Sequence, residues 1–140
     1  MATFSSPPGP FGRLFTDMGI SHAAVVPLAA SASSKLVITS GTPGVDLATG
    51  EVVVSSNEAQ IHAAYAAVEA VLRAAGVTNG VRGAHKFTAL LIDMRDEELL
   101  IKILRDRYPG HTPVFMAFEV RRLGMDGMRV ELRAEAIIVG

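Results

Sequence analysis

The sequence predicts an α+β domain in which two helices cover one face of a β-sheet and other subunits cover the second face. Three observations carry this expectation. The elements run strand, strand, helix, strand, helix, strand, strand, and two helices of this length can shield only one side of a sheet. The runs Ala89-Leu-Leu-Ile92 and Val114-Phe-Met-Ala-Phe118 are continuously apolar rather than alternating, the mark of strands buried on both faces. Hydrophobic residues make up 49% of the 140 and charged residues only 19%. That balance is apolar for so small a domain and fits surface buried between copies.

Residues 1–18 read as a flexible N-terminal arm, because Pro7, Pro8 and Pro10 break any helix there. His22–Pro27 is a short strand followed by a small-residue loop from Ala29 to Ser34. Lys35–Ser40 is a second strand, rich in β-branched residues and closed by Gly41. Thr42–Gly50 carries Pro43, Gly44, Asp46 and Gly50 and reads as a loop with a tight turn. Glu51–Val54 reads as a brief edge strand.

Ser55-Ser-Asn-Glu58 is a candidate capping box for the first helix. Ile61, Ala64, Val68, Val71, Leu72 and Ala75 form one apolar stripe, flanked by further alanines that permit close approach to a sheet, and Gly76 supplies a left-handed stop. His85–Asp93 is the next strand. Asp93 or Asp96 opens a second helix with Leu99, Leu100, Ile103 and Leu104 on its apolar face, ended by Pro109-Gly110. Val114–Val120 and Met128–Val139 are the last two strands, joined by a turn at Gly124–Gly127. Residues 19–140 form a single domain without repeat or linker.

Composition excludes several function classes. There is no cysteine, hence no disulfide framework, no thiolate nucleophile and no cysteine-bound zinc. The net charge is -1, from 13 basic and 14 acidic residues spread along the chain, which leaves no electrostatic footprint for nucleic acid and no polybasic membrane patch. No apolar run is long enough to span a bilayer, and Met1–Phe15 lacks the basic start and apolar block of a signal peptide. A cytoplasmic protein is expected. His22, His62, His85 and His111 show no metal-ligand spacing, and Gly41-Thr-Pro-Gly44 is a turn, not a phosphate loop.

Several motifs occur in one order: Leu36-Val-Ile-Thr-Ser-Gly-Thr-Pro-Gly44, Thr49-Gly-Glu51, Gln60 in an alanine-rich helix ending Ala74-Ala-Gly76, Phe118-Glu-Val-Arg-Arg-Leu123, and Arg129-Val-Glu-Leu-Arg-Ala134. Over residues 19 to 138 this series resembles the RidA/YjgF family. The resemblance implies a chorismate-mutase-like fold and a homotrimer with its sheets packed at the centre. It also implies cofactor-free clefts between subunits, where reactive imines and enamines such as 2-aminoacrylate are hydrolysed to keto acids and ammonia. The family glutamate linked to the reacting water falls on Glu131. The arginine that binds the substrate carboxylate falls on Phe115, a common cysteine on Ala117 and a common tyrosine on Ile20. Ser40 and Gly41 stand at the pocket rim, and Phe87 is expected with Phe115, Met116 and Phe118 in an apolar cleft wall.

An arginine holds a carboxylate through two charge-assisted bonds, and a phenylalanine cannot. The expected ligand is therefore a neutral or apolar small molecule, and neither metal nor cofactor is called for. Alternatives stand beside each assignment. Glu131, Arg133 and Glu135 share a strand face, so with Arg129 they could form a structural ion-pair row. Arg121, Arg129 or Arg133 could replace the clamp and preserve ordinary deamination. Ser40 and Thr42 could serve turns, and Phe115 could simply pack at a subunit seam. A non-catalytic ligand-binding or chaperone-like trimer is the remaining alternative.

Overall fold

A computed structural model describes residues 1–29 and 33–139. The chain runs β1 (Thr3–Ser5), α1 (Gly9–Thr16), β2 (Ala23–Pro27), β3 (Lys35–Thr39), β4 (Thr42–Pro43), α2 (Asn57–Ala74), β5 (Ala84–Leu91), α3 (Glu97–Arg107), β6 (Val114–Glu119) and β7 (Val130–Ile138). One sheet is ordered β1-β2-β3-β7-β5-β6, with β4 also paired to β7. Only β5 and β6 are parallel, so the sheet is mixed. The centre of the loop expected at Ala29–Ser34 lies outside the described residues.

The N-terminal arm is a correction. Residues 3–5 pair with β2, and residues 9–16 form a helix whose Phe11 and Phe15 are buried. The prolines do not prevent this, because Pro10 falls in the first turn, where a backbone N–H has no helical partner to lose. The cap of α2 also differs by one residue. Ser56, not Ser55, accepts from the Ala59 N–H at 3.0 Å, so Glu58 stands outside the reciprocal pattern. Gly76 takes the left-handed conformation expected of it, at φ +97°. The last two strands, joined through Gly124–Gly127, are not neighbours in the sheet: β5 lies between β6 and β7.

Alternation along the strands sorts the two sheet faces. Phe87, Ala89, Leu91, Leu132, Ala134 and Ala136 are buried in one core with the apolar stripe of α2 and with Leu100, Ile103 and Leu104 of α3. Each buried CH2 in such a core contributes roughly 0.8 kcal/mol. The neighbouring side chains point the other way and are uncovered: Val114, Met116 and Phe118 on β6 are 69, 54 and 49% exposed, as is 46% of Ile137 on β7. The apolar character that read as two-sided burial is thus half-buried within one chain.

The edge where β3 and β4 meet β7 is irregular. Ile38 pairs with Glu135 on β7, whereas Thr42 pairs with Leu132. Four steps along one strand oppose three along the other, so Ser40-Gly41 forms a bulge with one extra residue.

Candidate functional site

Beside that bulge the α1 segment, β4 and the 124–128 turn enclose a cavity of about 450 Å3. Leu14, Phe15 and Met18 form one wall, Met125 and Met128 another, and Ile20 and Pro43 add apolar surface. Ser40, Gly41 and Glu131 supply its polar edge. Of the seven candidate residues named from sequence, this cavity gathers four: Ile20, Ser40, Gly41 and Glu131.

Glu131 enters from β7 opposite Pro43 and Leu90. Its carboxyl group lies directly over Gly41: a Cβ built there would stand 2.6 Å from the Glu131 Cδ and 2.7 Å from Oε1. Half-burial among apolar walls raises the Glu131 pKa above the usual carboxylate value. Among the described residues it has no ion-pair partner. Ser40 is committed elsewhere, since its hydroxyl donates to the Ser21 carbonyl at 2.6 Å.

The ion-pair row considered as an alternative does not include Glu131. Glu135 pairs with Lys86 at 3.2 Å, and Arg129 turns away to Asp96 at 3.1 Å. Arg121, Arg122 and Arg133 are exposed, and among the described residues no arginine lines the cavity.

The three remaining candidates lie elsewhere. Phe87 is fully buried and stacks on Phe115 with ring centroids 6.3 Å apart. Phe115 pairs in register with Phe87, and Ala117 with Ala89, which places both on the helix side of the sheet. Glu131 pairs with Leu90 on the opposite side. Within one chain Phe87, Phe115, Met116 and Phe118 therefore do not share a wall: alternation sends Met116 and Phe118 to the uncovered face. Phe115 instead borders a second, smaller cavity of about 320 Å3 with Leu104, His111 and Pro113.

Two residues near the first cavity were not singled out by sequence as important to it. Gln60 is buried, with Nε2 donating to the carbonyls of Val53 and Gly127 at 2.8 and 2.9 Å. Its Oε1 accepts from the N–H groups of Arg129 and Val130 at 2.6 and 3.2 Å. It ties α2 to the turn that carries Met125 and Met128. His22 is buried between Phe11, edge-on at 4.6 Å, and Phe15, stacked at 4.1 Å. Its Nδ1 meets the Ser6 hydroxyl at 3.1 Å, Nε2 has no partner, and burial lowers its pKa. A histidine more than ten residues beyond a proline-rich segment carries no sequence signal for such a seat. Among the described residues no cluster of three metal-binding side chains occurs, and no helix is long and apolar enough to cross a membrane.

Comparison with known families matches residues 21–138 to the endoribonuclease L-PSP model. No curated protein matches. Among solved structures, a putative endoribonuclease L-PSP from Entamoeba histolytica is 25% identical, with a TM-score of 0.77 over 99% of this chain and 100% of that one. The YjgF gene product of E. coli is also 25% identical, with a TM-score of 0.74 over 96% of this chain and 97% of that one. E. coli TdcF, solved with bound serine, shares the fold at 22% identity and a TM-score of 0.67, over 96% of this chain and 93% of that one.

Proposed function

The chain belongs to the YjgF/RidA family, the one described by the endoribonuclease L-PSP model, and on that premise we propose that it is a diverged imine/enamine hydrolase or tautomerase of neutral, apolar reactive intermediates. It works as a homotrimer with small-molecule clefts at the subunit boundaries. The observation that carries this reading is Glu131: an unpaired, half-buried carboxyl group at the edge of an apolar cavity that no arginine among the described residues lines.

The chemistry needs one positioned acid/base group. The Glu131 carboxyl protonates the imine nitrogen, and water adds to the carbon. The carboxylate takes the proton released by that water and returns it to nitrogen as the C–N bond breaks, then recovers the remaining hydroxyl proton as the C=O bond forms. Imine and water become carbonyl compound and ammonia, with atoms and charge balanced. Burial favours this role by bringing the carboxyl pKa toward the working pH. Phe115 in the arginine slot, together with arginines that are exposed or held by Asp96, disfavours substrates that carry their own carboxylate.

The uncovered sheet face supports assembly, because Met116, Phe118 and Val114 expose apolar surface that a second copy would cover. β6 is also the edge strand of the sheet, so a copy packed along that edge would lie beside the partly buried Phe115.

The test is an ammonia-release assay with two substrates, freshly generated 2-aminoacrylate and the imine of a simple ketone. Wild type is expected to accelerate only the second, Glu131→Gln to lose that acceleration, and Phe115→Arg to gain the first. Turnover of 2-aminoacrylate by wild type would overturn the reading of Phe115. Full activity in Glu131→Gln would overturn the reading of Glu131.

A further inference from the structure

The polar inventory of the Glu131 cavity is one-sided. Leu14, Phe15, Met18, Ile20, Pro43, Met125 and Met128 bring no side-chain N–H or O–H. Ser40 has spent its hydroxyl proton on the Ser21 carbonyl and presents lone pairs alone. Glu131 brings a carboxyl group without a counter-charge. The side chains around this space accept hydrogen bonds and do not donate them.

The walls are also unusual in kind. Three of the six methionines in the chain, Met18, Met125 and Met128, line this one cavity. Thioethers are polarisable, adapt their shape, and make favourable contacts with aromatic rings. A site of this type is complementary to a group that donates several hydrogen bonds, carries positive charge and is attached to an apolar, preferably aromatic, body.

We infer that the cavity selects compact apolar amines bound as ammonium ions, the charged nitrogen on Glu131 and the hydrocarbon body against Met18, Met125 and Met128. This rests on the reading of the Glu131 cavity as the ligand site and adds the charge class of its occupant. An ammonium group supplies the three donors and the counter-charge that the carboxylate lacks. A carboxylate-bearing ligand would meet a like charge and no side-chain donor. The same preference would hold the iminium formed once Glu131 has protonated a neutral imine, so an apolar amine should act as a competitive inhibitor.

Three probes of nearly one shape separate the possibilities: benzylamine, benzyl alcohol and benzoate, titrated into the full-length protein by calorimetry. Methionine-methyl NMR locates each probe. Benzylamine is expected to bind at least about tenfold more tightly than benzyl alcohol, the margin of a charge-assisted bond over a neutral one, and benzoate should not bind. Glu131→Gln should remove the amine's advantage and leave the alcohol unchanged. A second measurement needs no variant: in wild type the benzylamine affinity falls as pH drops through the Glu131 ionisation, while the alcohol affinity stays flat. Equal binding of amine and alcohol would overturn the charge inference and leave the ligand site standing. Tightest binding by benzoate would do the same. If no probe perturbs Met18, Met125 or Met128, both the inference and the ligand-site reading fail.

Discussion

Gly41 and the Glu131 carboxyl group occupy one volume between them: the space a Cβ at position 41 would fill is held by Glu131 Cδ, 2.6 Å away. Gly41 is not in the left-handed region, so alanine there meets a side-chain conflict and no backbone strain. Gly41→Ala is expected to push the carboxyl group off its seat while the sheet persists. Ligand affinity or turnover should fall by about tenfold or more, with a stability loss below about 1 kcal/mol, measured by denaturant unfolding beside the activity assay.

The unpaired carboxyl group opposes folding whenever it is charged. Its folded pKa is raised by burial, so the folded state holds its proton to higher pH than the unfolded state does. The stabilisation from proton uptake is present in full below the unfolded pKa and is lost as pH rises through the folded one. Glu131→Gln should therefore raise Tm at pH 7 by roughly 1–3 °C while abolishing function, and the gain should vanish in thermal melts taken at acid pH.

His22 works in the opposite direction. Its folded pKa is lowered by burial between Phe11 and Phe15, so the unfolded chain gains a proton first as pH falls. The contribution of neutral His22 is complete above the unfolded value near 6.5 and declines as pH drops below it. Melts between pH 8 and pH 5 should show wild type losing Tm over the lower half of that range. His22→Gln should be less stable throughout and flatter with pH.

Gln60 satisfies two carbonyls and two N–H groups from separate segments. Gln60→Leu leaves those groups buried and unpaired, at about 1–3 kcal/mol for each group left orphaned. Urea unfolding should show a loss of about 3 kcal/mol or more. Met125 and Met128, on the turn that Gln60 holds, should then exchange hydrogen faster at their amides.

The uncovered face makes its own prediction. Met116→Glu with Phe118→Lys places charge on exposed positions of β6, so a lone chain should tolerate both. If copies cover this face, sedimentation should show the double variant as smaller species than wild type, with unchanged secondary structure by circular dichroism.

Much of this fold is legible from periodicity. The stripe Ile61–Ala75 is buried as its spacing demands, as are Leu100, Ile103 and Leu104, with Leu99 half-buried beside them, and the ordered motifs of residues 36–134 led to the right family. Local rules failed where tertiary contacts decide. Three prolines concealed α1, because aromatic packing on His22 rewards a helix that proline at its first turn does not forbid. The site was legible in part for a related reason. Residues 20, 40, 41 and 131 converge beside one bulge, whereas Phe115 rests on its alignment with the family arginine and Phe87 on its apolar character, and continuously apolar runs on β5 and β6 do not reveal which of their residues share a face.

The extra residue at Ser40-Gly41 sets a parity. Thr39 and Thr42 are three positions apart and would point to opposite faces of a regular strand, yet both are buried, at 2 and 0% exposure. Deleting a single residue here would restore regular alternation and turn one of these threonines, or the carboxyl seat itself, to the wrong side. Substitutions around the cavity can therefore change its walls while keeping it, whereas a one-residue deletion takes away the space at Gly41 that the Glu131 carboxyl group occupies. Divergence of this site is free to proceed by replacement and is closed to changes of length.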